Sequence, residues 1–163
     1  MKLLVTGGAG YIGSVVTRLL LDAGHEVVVL DDLSTGHTAS IDPRATFVQA
    51  RIHDAGTVLT RDAGFDAVLH FASLIAAGES MVKPELYWDN NVVGSLALLD
   101  AMRAAGVRRL VFSSTAAVYG NPTELPIPES AVKAPTSSNW LAASRVSTAN
   151  ATKVRRVAGS TPP

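Results

Sequence analysis

The stretch Val5–Gly13, VTGGAGYIG, decides how the rest of the chain is read. It closes a short apolar run, KLLVT at 2–6, and opens a longer amphipathic one that stops at Gly24. Two glycine patterns overlap in it, Gly8-x-Gly10-x-x-Gly13 and Gly7-x-x-Gly10-x-x-Gly13. Glycines so placed allow a tight turn from strand to helix and bring bare backbone close to a diphosphate, which then rests on the N–H groups and positive dipole end of the helix. Taken alone, the same glycines could serve nothing more than a turn that needs positive φ.

Working outward, the apolar, β-branched segments KLLVT, EVVVL, ATFVQ, AVLHF and RLVFSS predict five strands separated by helical stretches, the pattern of βαβ units and a parallel sheet covered on both faces. The first crossover, YIGSVVTRLLLDAG, is expected to put Ile12, Val15, Val16, Leu19 and Leu20 on one face. A long helix is expected to open after Pro84 and to close at Gly106. The fold class is therefore a doubly wound α/β sheet, Rossmann-like, with strand order 3-2-1-4-5. The second strand ends in VVVLDDLSTGH, which places Asp31 roughly twenty residues past the glycines, where a carboxylate can accept hydrogen bonds from ribose hydroxyls. Strand, glycine turn, helix, strand and acid in one window point to a dinucleotide. No arginine stands in DDLSTGH to receive a 2′-phosphate, which favours NAD over NADP.

Composition narrows the rest. The 163 residues include 14 Lys+Arg and 14 Asp+Glu, so no net field draws nucleic acid or anionic lipid. There is no cysteine, and the four histidines lack ligand spacing, so no metal is expected. The apolar run before Thr6 is too short for a signal peptide and no later run reaches membrane-spanning length, so a soluble, cytoplasmic protein is expected. Past Gly120, prolines at 122, 126, 128 and 135 predict a loop, and no acidic residue follows Glu129. We expect a nucleotide-binding domain over 1–136 and a divergent, poorly ordered tail over 137–163.

On these motifs the chain resembles the extended short-chain dehydrogenase/reductase family, and within it the UDP-hexose 4-epimerases, over roughly positions 1 to 136. The resemblance implies that Gly7, Gly10, Tyr11, Ile12 and Gly13 line the pyrophosphate. It implies that Asp31, Asp32, Leu33, Ser34, Thr35 and Gly36 wrap the adenosine. Phe71 and Ala72 of FAS match the loop beside the nicotinamide half, and Asn90 of YWDNN and Ser113 of SSTAAVYG match residues near it. Thr115 matches the catalytic Ser or Thr. Related dehydratases place Asp-Glu after that threonine, whereas Ala116 and Ala117 stand here, which argues against elimination. Where the family carries an Asp-Ile pair beside the adenine, this chain has Arg51 and Ile52, a change expected to weaken NAD binding. Implied with the family are a UDP-sugar substrate, NAD, and a homodimer as a compatible assembly.

The family's chemistry also needs a tyrosine whose pKa is lowered by a lysine four residues on, side by side on a helix. The residues four positions after Tyr11, Tyr87 and Tyr119 are Val15, Asn91 and Thr123. Aligning NWLAASR with the family's Tyr-Gly-Ala-Ser-Lys puts Leu141 and Arg145, or Trp140 and Ser144 one step over, in place of the pair. Leucine moves no proton, and arginine stays charged. We read the chain as the N-terminal portion of such an enzyme, truncated or frame-shifted after KAPT, lacking the substrate domain and without turnover. The other readings are a non-catalytic NAD-binding or sensing module and an unstable fragment. His70, in VLHFA, is read as a hydrogen-bonded core histidine rather than a catalyst.

Overall fold

A computed structural model describes residues 1–114, 116–121 and 123–134. The described chain divides into two units. One comprises Met1–Leu74 with Val93–Ser113, and the other comprises Ile75–Val92 with the described residues from Ser114 onward. The expected boundary at 136/137 and the tail lie outside the described residues.

The first unit holds a five-stranded parallel sheet of order β3-β2-β1-β4-β5, as expected. The strands are β1 (Lys2–Thr6), β2 (Glu26–Asp31), β3 (Thr46–Gln49), β4 (Ala67–His70) and β5 (Arg109–Phe112). Valines and leucines dominate the central strands because such strands are buried on both faces. Alternation then divides them between two cores. Leu4, Val28, Leu30 and Val68 pack on one side with Ile52, Leu98 and Met102. Val5, Val27 and Val29 pack on the other with Leu20, Leu21, Phe47 and Leu69. Each fully buried side chain of this kind contributes roughly 1.5–3 kcal/mol. Among the described residues β5 pairs only with β4.

Helix α1 spans Tyr11–Asp22, and the chain turns at Gly24 with φ of 79°. Its inward face differs from the expected one. Gly13 and Thr17 are buried and Leu20 and Leu21 face the sheet, while Ile12, Val15 and Leu19 are exposed. The cause is the close approach at the helix start, where a Cβ on Gly13 would lie 2.1 Å from the Gly7 carbonyl oxygen. That contact brings the first turn of the helix close to the strands, with Gly13 and Thr17 inward, and the apolar packing falls to Leu20 and Leu21 in the last turns.

The single long helix expected between Pro84 and Gly106 is interrupted. In the second unit, α2 (Ala77–Val82) and α3 (Pro84–Trp88) are followed by a π turn over Asp89–Val93, and only then does α4 (Gly94–Ala105) continue in the first unit. A π turn inserts a residue into the helical ladder, a feature that periodicity in the sequence does not announce. Helix α4 packs closely on a 3₁₀ turn over Ile52–Thr57, since a Cβ on Gly94 would meet Ile52 Cγ2 at 2.4 Å. It ends as read, with Gly106 at φ of 78° and bonds from Gly106 N to Arg103 O and from Val107 N to Met102 O. No described helix is long and apolar enough to cross a membrane. No three His, Cys, Asp or Glu side chains among the described residues are placed to hold a metal.

Candidate functional site

The C-terminal ends of β1, β2 and β4 converge at the point where strand order reverses, the place where open α/β sheets bind ligands. The Gly7 amide donates to Leu30 O at 2.9 Å, and Gly7 adopts φ of 75°. A Cβ there would also lie 2.5 Å from the Ala72 nitrogen, so both conformation and space demand glycine. Gly10 differs. It has an ordinary extended backbone (φ −81°, ψ 174°), and its only near neighbour would be Gly7 O at 3.3 Å. A Cβ here would crowd one backbone oxygen by a few tenths of an ångström, a far milder demand for glycine than at Gly7, and a ligand lying against the backbone would add to it. Gly10 caps α1, no side chain accepts from its first amides, and no acid lies in its first turn. Unsatisfied N–H groups and the positive dipole end together make an anion site. Tyr11 and Ile12 are exposed on that first turn.

Asp31 is buried, 8% exposed, and its two carboxylate oxygens already serve the chain. Oδ2 accepts from the Ala9 amide at 3.0 Å and Oδ1 from the Leu33 amide at 2.9 Å. Ala9 is held a second time, its carbonyl accepting from the His37 amide at 3.1 Å, and the Gly36 backbone presses on it so that a Cβ would meet Ala9 Cβ at 2.7 Å. The glycine turn and the DDLSTGH loop are thus stitched together through Ala9. A carboxylate offers about four acceptor positions, so Asp31 retains capacity for hydroxyl donors. Within the loop, Asp32 Oδ1 accepts from the Ser34 amide at 2.9 Å, Leu33 takes positive φ (61°), and Ser34 and Thr35 are exposed.

Arg51 is exposed at the start of the 3₁₀ turn. Ile52, read as a neighbour of the adenine, has its side chain in the core beneath α4, 4% exposed, so that side chain is not open to a ligand. Phe71 and Ala72 follow β4, the Phe71 amide donating to Thr6 O at 2.9 Å. Ser113 follows β5 and donates to His70 O at 3.1 Å. His70 is buried between two hydroxyls, with Thr6 Oγ1 2.7 Å from Nδ1 and Ser95 Oγ 3.1 Å from Nε2. Burial lowers its pKa from 6.5 to about 4, so it is neutral and structural, as read. Sequence reasoning passed over Ala9, Thr6 and Ser95. The small residue between two glycines was the signal for the first, and nothing in the sequence announces the other two.

In the second unit, Asn90 is half-buried and donates from Nδ2 to Asn91 Oδ1 at 3.0 Å. Tyr87 is buried, and its hydroxyl donates to Glu79 Oε2 at 2.9 Å. Burial first, and Glu79 second, raise its pKa, the opposite of what a proton-abstracting tyrosine needs. Tyr119 is half-buried in a 3₁₀ turn over Ala116–Tyr119. Thr115 lies outside the described residues.

Residues 3–156 match the NAD dependent epimerase/dehydratase family. The chain belongs to that family. A UDP-glucose 4-epimerase from Streptomyces lividans is 58% identical over 139 residues, 83% of this chain and 42% of the relative. One from Corynebacterium glutamicum is 49% identical over 138 residues, 85% of this chain and 42% of the relative. A crystal structure of UDP-glucose 4-epimerase from Stenotrophomonas maltophila, with bound NAD and formylated UDP-arabinopyranose, superimposes with a TM-score of 0.84 at 41% identity, over 93% of this chain and 48% of that one. The chain therefore spans somewhat under half the length of these relatives. The family match covers the glycine turn, Asp31, His70 and the strand ends alike, and it accounts for a parallel sheet in this order.

Proposed function

We propose that this chain binds NAD across the switch point of its sheet, as the nucleotide-binding part of a UDP-hexose 4-epimerase. One observation carries the reading: Gly10 stands at a helix N-terminus that no side chain caps, with an ordinary backbone conformation and a single close atom, Gly7 O at 3.3 Å, on the side where a Cβ would lie. The amides of Tyr11–Gly13 would receive the pyrophosphate, Asp31 the ribose hydroxyls, and the backbone of Phe71–Ala72 and Ser113 would border the nicotinamide half. When bound, NAD supplies reversible hydride transfer at the sugar C4′ carbon. For this chain's own part, Thr115 would hydrogen-bond the sugar hydroxyl, and Asn90 would sit beside the cofactor. No Tyr-x-x-x-Lys pair occurs anywhere in the 163 residues, so proton removal from the sugar has no evident agent. That absence supports a second reading, in which the chain holds NAD without turnover and acts as a binding or sensing module.

Two measurements separate these readings. Calorimetric titration with NAD and NADH should show binding, and no heat at millimolar cofactor sinks the proposal. A coupled assay with UDP-galactose and NAD should show no turnover. Activity that disappears on Thr115→Ala would instead establish a working epimerase.

A further inference from the structure

The segments proposed to meet the nicotinamide half come from the ends of β1, β4 and β5, and one buried side chain is connected to all of them. The His70 ring bridges Thr6 on β1 and Ser95 on α4, and its centroid lies 5.2 Å from that of Phe112 on β5. Its own carbonyl accepts from the Ser113 amide, and the next amide, Phe71, donates to Thr6 O. The Phe71–Ala72 peptide is in turn the surface against which Gly7 rests. A neutral imidazole has one donor and one acceptor nitrogen, so one hydroxyl donates to the ring and the other receives from it. Partners on opposite edges fix the ring in its plane, and a ring so fixed can set strand ends that a merely apolar residue would only pack.

We propose that His70 is a positioning residue for the dinucleotide: through Thr6 on β1, Ser95 on α4 and the ring of Phe112 on β5, it holds the ends of β1, β4 and β5 in the register that presents Gly7, Phe71–Ala72 and Ser113 to the cofactor. The proposal rests on the NAD-binding reading above, but part of its test does not. Removing either partner leaves a buried ring nitrogen unsatisfied, and removing the ring takes a partner from the buried Thr6 hydroxyl.

The experiment uses the full chain and the variants Thr6→Val, Ser95→Ala, His70→Phe and His70→Gln. NAD dissociation constants are measured by calorimetry, and amide hydrogen exchange is followed by NMR. Thr6→Val and His70→Phe are expected to weaken NAD binding by about tenfold, and Ser95→Ala by about fivefold, since a buried unsatisfied group disturbs the site by a comparable factor. His70→Gln, which keeps one donor and one acceptor, should recover most of the affinity. In the weakened variants, exchange should quicken at the Phe71 and Ser113 amides and not at Val28 or Leu30 on the other side of β1. Affinity within twofold of the unmutated chain for both Thr6→Val and Ser95→Ala overturns the proposal, as does exchange that changes uniformly across the sheet. If the unmutated chain takes no NAD, the functional reading fails instead, and the exchange pattern alone decides whether His70 sets these strand ends.

Discussion

The Ala9 amide donates to Asp31 Oδ2 at 3.0 Å, so the acid that ends β2 holds the middle of the glycine turn before any nucleotide arrives. The other oxygen holds Leu33. Asn in place of Asp31 keeps one acceptor but turns an NH₂ donor toward one of these amides. Asp31→Asn should therefore lose about 1–3 kcal/mol of stability by urea denaturation, and it should also weaken NAD binding. An unchanged urea midpoint would show that the two bonds carry no weight.

The glycines of the turn should respond to alanine in opposite ways. Gly13→Ala forces a Cβ to within 2.1 Å of a backbone oxygen and should cost several kcal/mol or prevent folding. Gly10→Ala meets one atom at 3.3 Å and should cost no more than about 1 kcal/mol. Its effect should fall on NAD affinity, lowered by tenfold or more in calorimetry. Equal loss of stability in both variants contradicts the assignment of Gly10 to the ligand.

Leu33 is a bulky residue at φ of 61°, a conformation that costs an L-residue roughly 1–2 kcal/mol. Leu33→Val, with a branched Cβ, should lower the melting temperature further. Leu33→Asn should leave it equal or higher, since asparagine tolerates the left-handed region. The order Asn ≥ Leu > Val in thermal unfolding checks the strain directly.

His70 gives a pH dependence whose sign follows from its environment. Its pKa falls from 6.5 to about 4 on folding because burial disfavours the imidazolium. Between those values the unfolded chain binds a proton that the folded chain refuses, so stability is full above pH 6.5 and declines as pH falls toward 4. The loss is on the order of 3 kcal/mol. His70→Phe should flatten that part of a stability-versus-pH profile, even though the variant is less stable at pH 7.

The strand segments were legible because valine and leucine runs in a parallel sheet are continuous, and the glycine motif fixed where the first strand ends. KLLVT coincides with β1, and the stop at Gly24 is where the chain turns. The inward face of α1 was misread in part: Leu20 packs on the sheet as read, but Ile12, Val15 and Leu19 point outward, because the approach at the helix start is a backbone contact that no side-chain pattern encodes. The break in the long helix escaped for a similar reason, since a π turn changes hydrogen-bond register without changing composition. Asp31 was picked out by its distance from the glycines, but its bonds to Ala9 and Leu33 depend on the three-dimensional meeting of two loops. His70 could be read as buried, while its partners Thr6 and Ser95 lie 64 and 25 residues away.

The central place of β1 has a consequence for how the chain comes into being. It is synthesised well before β4, yet Leu3 pairs with Ala67 and Thr6 with His70. The strand can dock on β2 early, but its other edge must wait until β4 has left the ribosome. The glycine turn, anchored on both neighbours, thus takes its final shape only after that late closure, and a nascent chain halted before residue 70 would carry the cofactor motif without the pocket.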